Sequence, residues 1–100
     1  MLEIIAVALL EGRTVRLTLS DGSSVVRDLG GLLDGWGPYA RISVDDEAFR
    51  EVYVDYGTLV WPGDVDIAPE TLIWDGPYPD DQTRGPEPFL RPRSPSRSAR

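Results

Sequence analysis

Apolar and polar positions alternate most clearly in "TVRLTLS", where Val15, Leu17 and Leu19 alternate with Thr14, Arg16 and Thr18. A period of two is the mark of a strand with one buried face. Turn residues flank it. Glu11-Gly12 precedes it, and Ser20-Asp21-Gly22-Ser23 follows it, so "SVVRD" (Ser24 to Asp28) is expected to pair back as a third strand. The first run, "IIAVALL" (Ile4 to Leu10), is apolar without a period and by composition is compatible with helix or strand. Its short connection to a clear strand favours a central strand buried on both faces.

Beyond Asp28 the pattern changes. "LGGLLDGWGPY" holds too many glycines for a stable helix and predicts one irregular turn. That turn would insert Leu29, Leu32 and Leu33 into the core, with Trp36, Pro38 and Tyr39 at its edge. "VDDEAFREV" predicts a helix of about two turns. Asp45 or Asp46 can accept from its first amides, Phe49 and Val52 share a face, and Asp46 can pair with Arg50 outside. "VYVDYGTLVW" then reads as a hairpin turning at Tyr56-Gly57, with Trp61 in the core and Pro62 ending the sheet. Pro69 fits the first position of one helical turn, from which Leu72, Ile73 and Trp74 return to the core. The expectation is an α+β domain: a twisted antiparallel sheet of about five strands, one short helix and a closing helical turn. The domain spans residues 1–76. Residues 77–100 form a tail rich in proline, arginine and serine, without periodicity, expected to be flexible and disordered.

Composition narrows the chemistry. The chain of 100 residues has no cysteine, histidine or lysine, and all 10 cations are arginines. Disulfides, thiol catalysis, His/Cys zinc sites, imidazole general bases and Schiff-base lysines are therefore excluded. What remains is carboxylates, hydroxyls and arginine. Paired carboxylates can serve as acid and base, but a chain with 17 acids contains chance pairs, and a domain this small leaves little room for a substrate cleft. No enzyme activity and no cofactor are expected. Asp64 and Asp66 could supply oxygen ligands to Mg²⁺ or Ca²⁺, with Asp45, Asp46 or Glu70 completing the shell. The calcium-loop pattern is missing, and the competing reading makes Asp66 a turn or N-cap acceptor; no metal site is assigned.

The net charge of −7 conceals a division. Residues 1–83 carry 16 acids against 5 arginines, a net of −11; residues 84–100 carry 1 acid against 5 arginines, a net of +4. An acidic body attracts basic surfaces and repels phosphate backbones. The tail does the reverse, and Arg91, Arg93, Arg97 and Arg100 are its candidate contacts with nucleic acid or an acidic partner. "IIAVALL" is too short to span a membrane and follows an acid, so a cytoplasmic protein with no membrane association is expected. An exposed hairpin edge would also allow pairing with a second copy.

Taken in order, "RLTLSDGSSVVRDL", "LLDG", "DDEAFREVYVD", "GTLVWP" and "DIAPETL" resemble the bacterial family known as domain of unknown function 2442, over about residues 3–74. Asp21, Gly22, Asp28, Leu29, Phe49, Trp61, Pro62, Asp66, Pro69 and Leu72 carry the likeness; with Trp36 they are its structural signature or a partner surface. The resemblance implies a small α+β domain with a mainly antiparallel sheet and no known catalytic residues. It also implies a partner: members are often encoded beside another small protein, in pairs proposed as toxin–antitoxin modules. This chain would be the antitoxin-like member. A nucleic-acid-associated regulatory role through the basic tail is the alternative. The chain departs from the family at Gly63-Asp64, where Asn-Gly is common after Trp-Pro, and at Ala68, where many members have an acid.

Overall fold

The computed structural model describes residues 2–33, 37–81 and 83–90. Six short strands form two antiparallel sheets, joined and closed by short helices, so the class is α+β. The first sheet is a meander of β1 (Ile4–Leu9), β2 (Thr14–Leu19) and β3 (Ser24–Asp28). The alternation in β2 fixes its faces, and Val15, Leu17 and Leu19 are fully buried. The turn after it is held by Asp21, whose Oδ1 accepts from Ser23 N at 2.9 Å and from Ser23 Oγ at 2.6 Å. Gly22 supplies the left-handed backbone, φ +91°, that the reversal needs.

The expectation for the first run is overturned. β1 is an edge strand, not a central one, and of its residues only Ile4 is buried. Ile5 is 56% exposed and Leu9 38%. The register with β2 slips between Ile4 and Ala6, leaving Ile5 as a bulged residue. An apolar run shows what a strand could bury, whereas the position of other strands decides what it does bury.

The second sheet is β4 (Tyr53–Asp55), β5 (Thr58–Trp61) and β6 (Val65–Ile67). Tyr56 and Gly57 both have positive φ, 54° and 75°, which makes the two-residue turn preferred in hairpins. A single sheet of five strands is therefore replaced by two sheets of three. Pro62 does not end the sheet. Pro62, Gly63 and Asp64 form a tight turn, and Val65 pairs back on Trp61. The sixth strand is too short to carry a periodic signal of its own. The two sheets meet where Ile4 N donates to Gly57 O at 2.9 Å. There β1 lies against β4 and β5 while it stays paired with β2 on both sides of the bulge at Ile5.

Along the chain, three of the four α-helices come between the two sheets and the fourth follows them. Helix α1 (Gly30–Leu33) stands where an irregular turn was expected. Asp28 Oδ1 accepts from Gly30 N at 3.0 Å and starts it despite the glycines, and Leu29 and Leu33 are buried. A 3-10 turn (Gly37–Tyr39) leads into α2 (Ala40–Val44), an unforeseen helix that buries Ile42. Helix α3 (Asp46–Phe49) is capped by Asp45, which accepts from Glu47 N at 3.0 Å and Ala48 N at 3.3 Å. Asp46 pairs with Arg13 across the fold, at 2.8 Å, rather than with Arg50 along the helix. Helix α4 (Pro69–Trp74) begins with Pro69 as expected and buries Leu72, Ile73 and Trp74.

Trp61 organises the core. It is fully buried, its Nε1 donates to Phe49 O at 2.9 Å, and its ring lies 6.0 Å from that of Phe49. Burying a side chain of that size contributes about 3 kcal/mol, provided its one polar atom finds an acceptor. The sheet, α3 and α4 thus share one core. No helix among the described residues is long and apolar enough to cross a membrane.

The chain does not leave the domain after Gly76, where a flexible tail was expected. Glu87 N donates to Ile73 O at 2.8 Å, Trp74 Nε1 donates to Gly85 O at 3.0 Å, and Leu90 packs against the core. Residues 83–90 form a strap across the end of α4. Proline-rich composition removes helix and sheet but still leaves carbonyls free to accept. Residues 91–100 lie outside the described part.

Candidate functional site

Of the residues singled out in the sequence, most are placed where they hold the fold. Asp21 and Gly22 shape the β2–β3 turn; Asp28 and Leu29 start α1; Phe49 and Trp61 meet in the core; Pro69 and Leu72 belong to α4. They lie in separate turns and packing contacts rather than around one cavity. Pro62 and Asp66 are exposed. Asp66 does not cap α4, because the N-cap position is Ala68, which has no side-chain bond to the helix. The main chain of Asp66 acts instead: its O accepts from Tyr39 Oη at 2.9 Å. Burial pushes the Tyr39 hydroxyl above its usual value, and the nearby Asp66 adds to the shift. Trp36, Arg91, Arg93, Arg97 and Arg100 lie outside the described residues.

The carboxylates follow a common plan. Asp21, Asp28, Asp45, Asp55 and Asp81 each accept from one or more amides within three residues of themselves. Each is exposed, so it anchors a loop and presents charge to solvent. The Ser23 hydroxyl and amide hold Asp21 below the usual carboxylate range, and Thr83 does the same for Asp81. Among the described residues no three acids converge on a position that would hold a metal ion.

Two arginines missed in the sequence matter more. Arg27 is 1% exposed and spreads its guanidinium over four main-chain carbonyls. Its Nε donates to Leu72 O at 2.7 Å, Nη2 to Glu87 O at 2.7 Å and Ile73 O at 3.2 Å, and Nη1 to Pro88 O at 3.3 Å. Burial pulls it below its ordinary value, while Asp75 and Glu87 push the other way. The negative end of α4 suits a cation here. Arg13 lies across the sheet. Its Nη1 donates to Asp46 at 2.8 Å, its Nη2 to Ser43 O at 3.0 Å, and its guanidinium carbon sits 4.8 Å from the centre of the Phe49 ring. Its buried Nε has no hydrogen-bond partner among the described residues. A signal for both was present: Arg13-x-Val15-x-Leu17 and Val25-x-Arg27-x-Leu29 place each arginine at the inward step of an alternating run.

Beside Arg13 opens a cleft of about 470 Å³, bounded by Leu9, Leu10 and Glu11 on the hairpin side and by Asp46, Phe49 and Arg50 on α3. It borders the C-terminal end of β1. Leu10 N donates to Thr14 O at 2.9 Å, so every second peptide group of β1 faces β2. The peptide groups of Val7 and Leu9 therefore face outward, toward the side on which no described strand pairs. Ile5, Leu9 and Leu10 make that edge apolar.

A family model described as a protein of unknown function, DUF2442, matches residues 4–76. The chain belongs to the DUF2442 family. The matched span runs from β1 to the end of α4, including both sheets and the cleft. The strap at residues 83–90 lies beyond it, although Arg27, which holds the strap, lies within it. No curated protein and no solved structure matches the chain.

Proposed function

We propose that this DUF2442 chain is a non-catalytic interaction module that binds a basic partner protein encoded nearby, in the role of the antitoxin-like member of the pair. One observation carries the reading. The exposed carboxylates of Asp21, Asp28, Asp45, Asp55 and Asp81 are fixed by amides of their own loops, on a body of net −11 over residues 1–83. Carboxylates tied to local turns are committed to shape and surface charge rather than to a reacting centre. A negative surface held in place steers a basic partner and speeds encounter. The test is co-expression of the tagged full chain with the product of the adjacent gene. Co-purification that weakens with salt, together with relief of any growth inhibition by that product, is expected. Absence of co-purification at low salt would end this reading.

A further inference from the structure

We propose that Arg27, Ile73 and Trp74 form a peptide-recognition site for an extended, proline-spaced segment, and that Gly85 to Leu90 are its ligand, bound in cis and able to leave without unfolding the domain. The inference goes beyond the partner reading and does not depend on it. Within residues 4–76, the span that matches the family, the site is unfinished. There Arg27 has two acceptors, Leu72 O and Ile73 O, at the C-terminal end of α4. Arg27 is almost fully buried, and its further acceptors lie on the strap: Glu87 O from Nη2 at 2.7 Å and Pro88 O from Nη1 at 3.3 Å. Trp74 is 6% exposed, and its indole N–H donates to Gly85 O at 3.0 Å. In return Glu87 N donates to Ile73 O at 2.8 Å. Buried donors and acceptors of this kind need partners, and the strap supplies them.

The class of ligand follows from what is read. Each of these bonds ends on a main-chain atom of the strap, so the site reads backbone spacing rather than side-chain identity. Pro86 and Pro88 have no N–H and favour an extended chain. The segment therefore presents carbonyls with few amides to leave unpaired, and it loses less freedom on docking. Leu90 adds an apolar anchor against the core, whereas Phe89 is 68% exposed. The ligand pattern is thus Gly-Pro-x-Pro-x-Leu. The ion pair of Arg84 with Glu87, at 2.9 Å, lies within the strap itself. The strap joins neither sheet, so it can lift off while both ladders stay closed. A tether as short as residues 75–84 holds it at an effective concentration on the order of millimolar, which a free peptide at micromolar concentration does not match.

Amide hydrogen exchange of the full parent chain reads the opening. Glu87 N–H is expected to exchange at least roughly tenfold faster than the amides of Val15 and Leu17 in β2, and to respond less to urea. The binding probe is a fluorescein-labelled peptide of residues 83–90, measured by anisotropy. Its target is the full chain carrying Glu87→Pro and Leu90→Asp, which frees the site and leaves Arg27 and Trp74 in place. The peptide should bind this variant at least about tenfold more tightly than the parent. Glu87→Gln in the peptide should keep that affinity, because the main chain is read, and Glu87→Pro in the peptide should weaken it. Where the variant fails to fold, unlabelled peptide at millimolar concentration should speed Glu87 exchange in the parent severalfold, by holding the site once the strap has left. Exchange of Glu87 together with β2, no peptide binding to the folded variant, equal binding to variant and parent, loss of binding with the Gln peptide, or no effect of unlabelled peptide on exchange overturns the proposal. A parent dimer in sedimentation that keeps Glu87 protected would seat the strap on a second copy and overturn the cis assignment.

Discussion

Two inward steps of the first sheet each hold an arginine and end differently. Arg27 on β3 and Arg13 just before β2 both point to the inner face. Arg27 meets carbonyls of α4 and the strap, atoms fixed by the backbone, and is sealed from solvent. Arg13 meets Asp46, whose side chain is 82% exposed, and lines an open cleft. The lesson concerns acceptors. Main-chain carbonyls at a helix end cannot move away, so a buried arginine there locks two segments together. A solvated carboxylate holds its cation loosely, because water competes for both partners. One flank closes the fold and the other borders an open cleft.

Breaking the closed flank should cost most. Arg27→Ala takes a donor from four carbonyls, of which Ile73 O keeps only the Glu87 amide, and is expected to destabilise the fold by about 3 kcal/mol, read from the urea midpoint. An unchanged midpoint would show that water replaces the guanidinium at no cost and would dissolve the contrast. A chain ending at Asp81 keeps Arg27 but loses the acceptors on Glu87 and Pro88, the Trp74 acceptor at Gly85 and the packing of Leu90. Its expected loss is about 2 kcal/mol, with greater exposure of Trp74 visible as a red shift in fluorescence. If that shortened chain, which still contains the whole family match, melts like the parent, the strap is an ornament and not part of the folding unit.

The open flank should respond weakly. Arg13→Ala removes the stacking on Phe49 and the bond to Ser43 O and should cost about 1 kcal/mol, while Asp46→Asn should cost under about 0.5 kcal/mol. A larger effect from Asp46→Asn would mean that the ion pair, not the ring contact, holds Arg13. The smallest effect concerns the β2–β3 turn. Because the Asp21 carboxyl lies below its unfolded value, near about 3.9, its contribution is complete above that value and fades as pH falls through the lower folded value. Carboxyl-carbon NMR should place its midpoint below the ordinary range, and Ser23→Ala should move it up.

Legibility in the sequence depended on whether the deciding interaction was local. The β2 alternation, the Ser-Asp-Gly turn, the Asp45 cap, the Tyr56-Gly57 turn and Pro69 at the start of α4 are set within a few residues, and each could be read directly. The edge position of β1, the sixth strand at Val65–Ile67 and the strap were not readable. A three-residue strand has no period to detect. An apolar run looks the same at the centre of a sheet and at its margin. Asp66 shows the limit for single residues: its carboxylate looked like a cap, but the turn at Gly63-Asp64 sends the chain back as a strand and leaves only its carbonyl in use. Arg27 was readable in part. Its inward step could be counted from Val25 and Leu29, but the four carbonyls that make an inward cation tolerable come from residues 72–88.

By itself the sequence determined the chemistry that is excluded, the family, the acidic body and the local turns, because composition and near-neighbour hydrogen bonds do not depend on distant contacts. Only the tertiary structure decided that there are two sheets, that β1 lies at the edge of the first and meets the second at Gly57, and that Arg27 binds the strap while Arg13 borders a cleft. Those outcomes depend on which segments arrive beside one another, and burial of a strand or an arginine is a property of its neighbours.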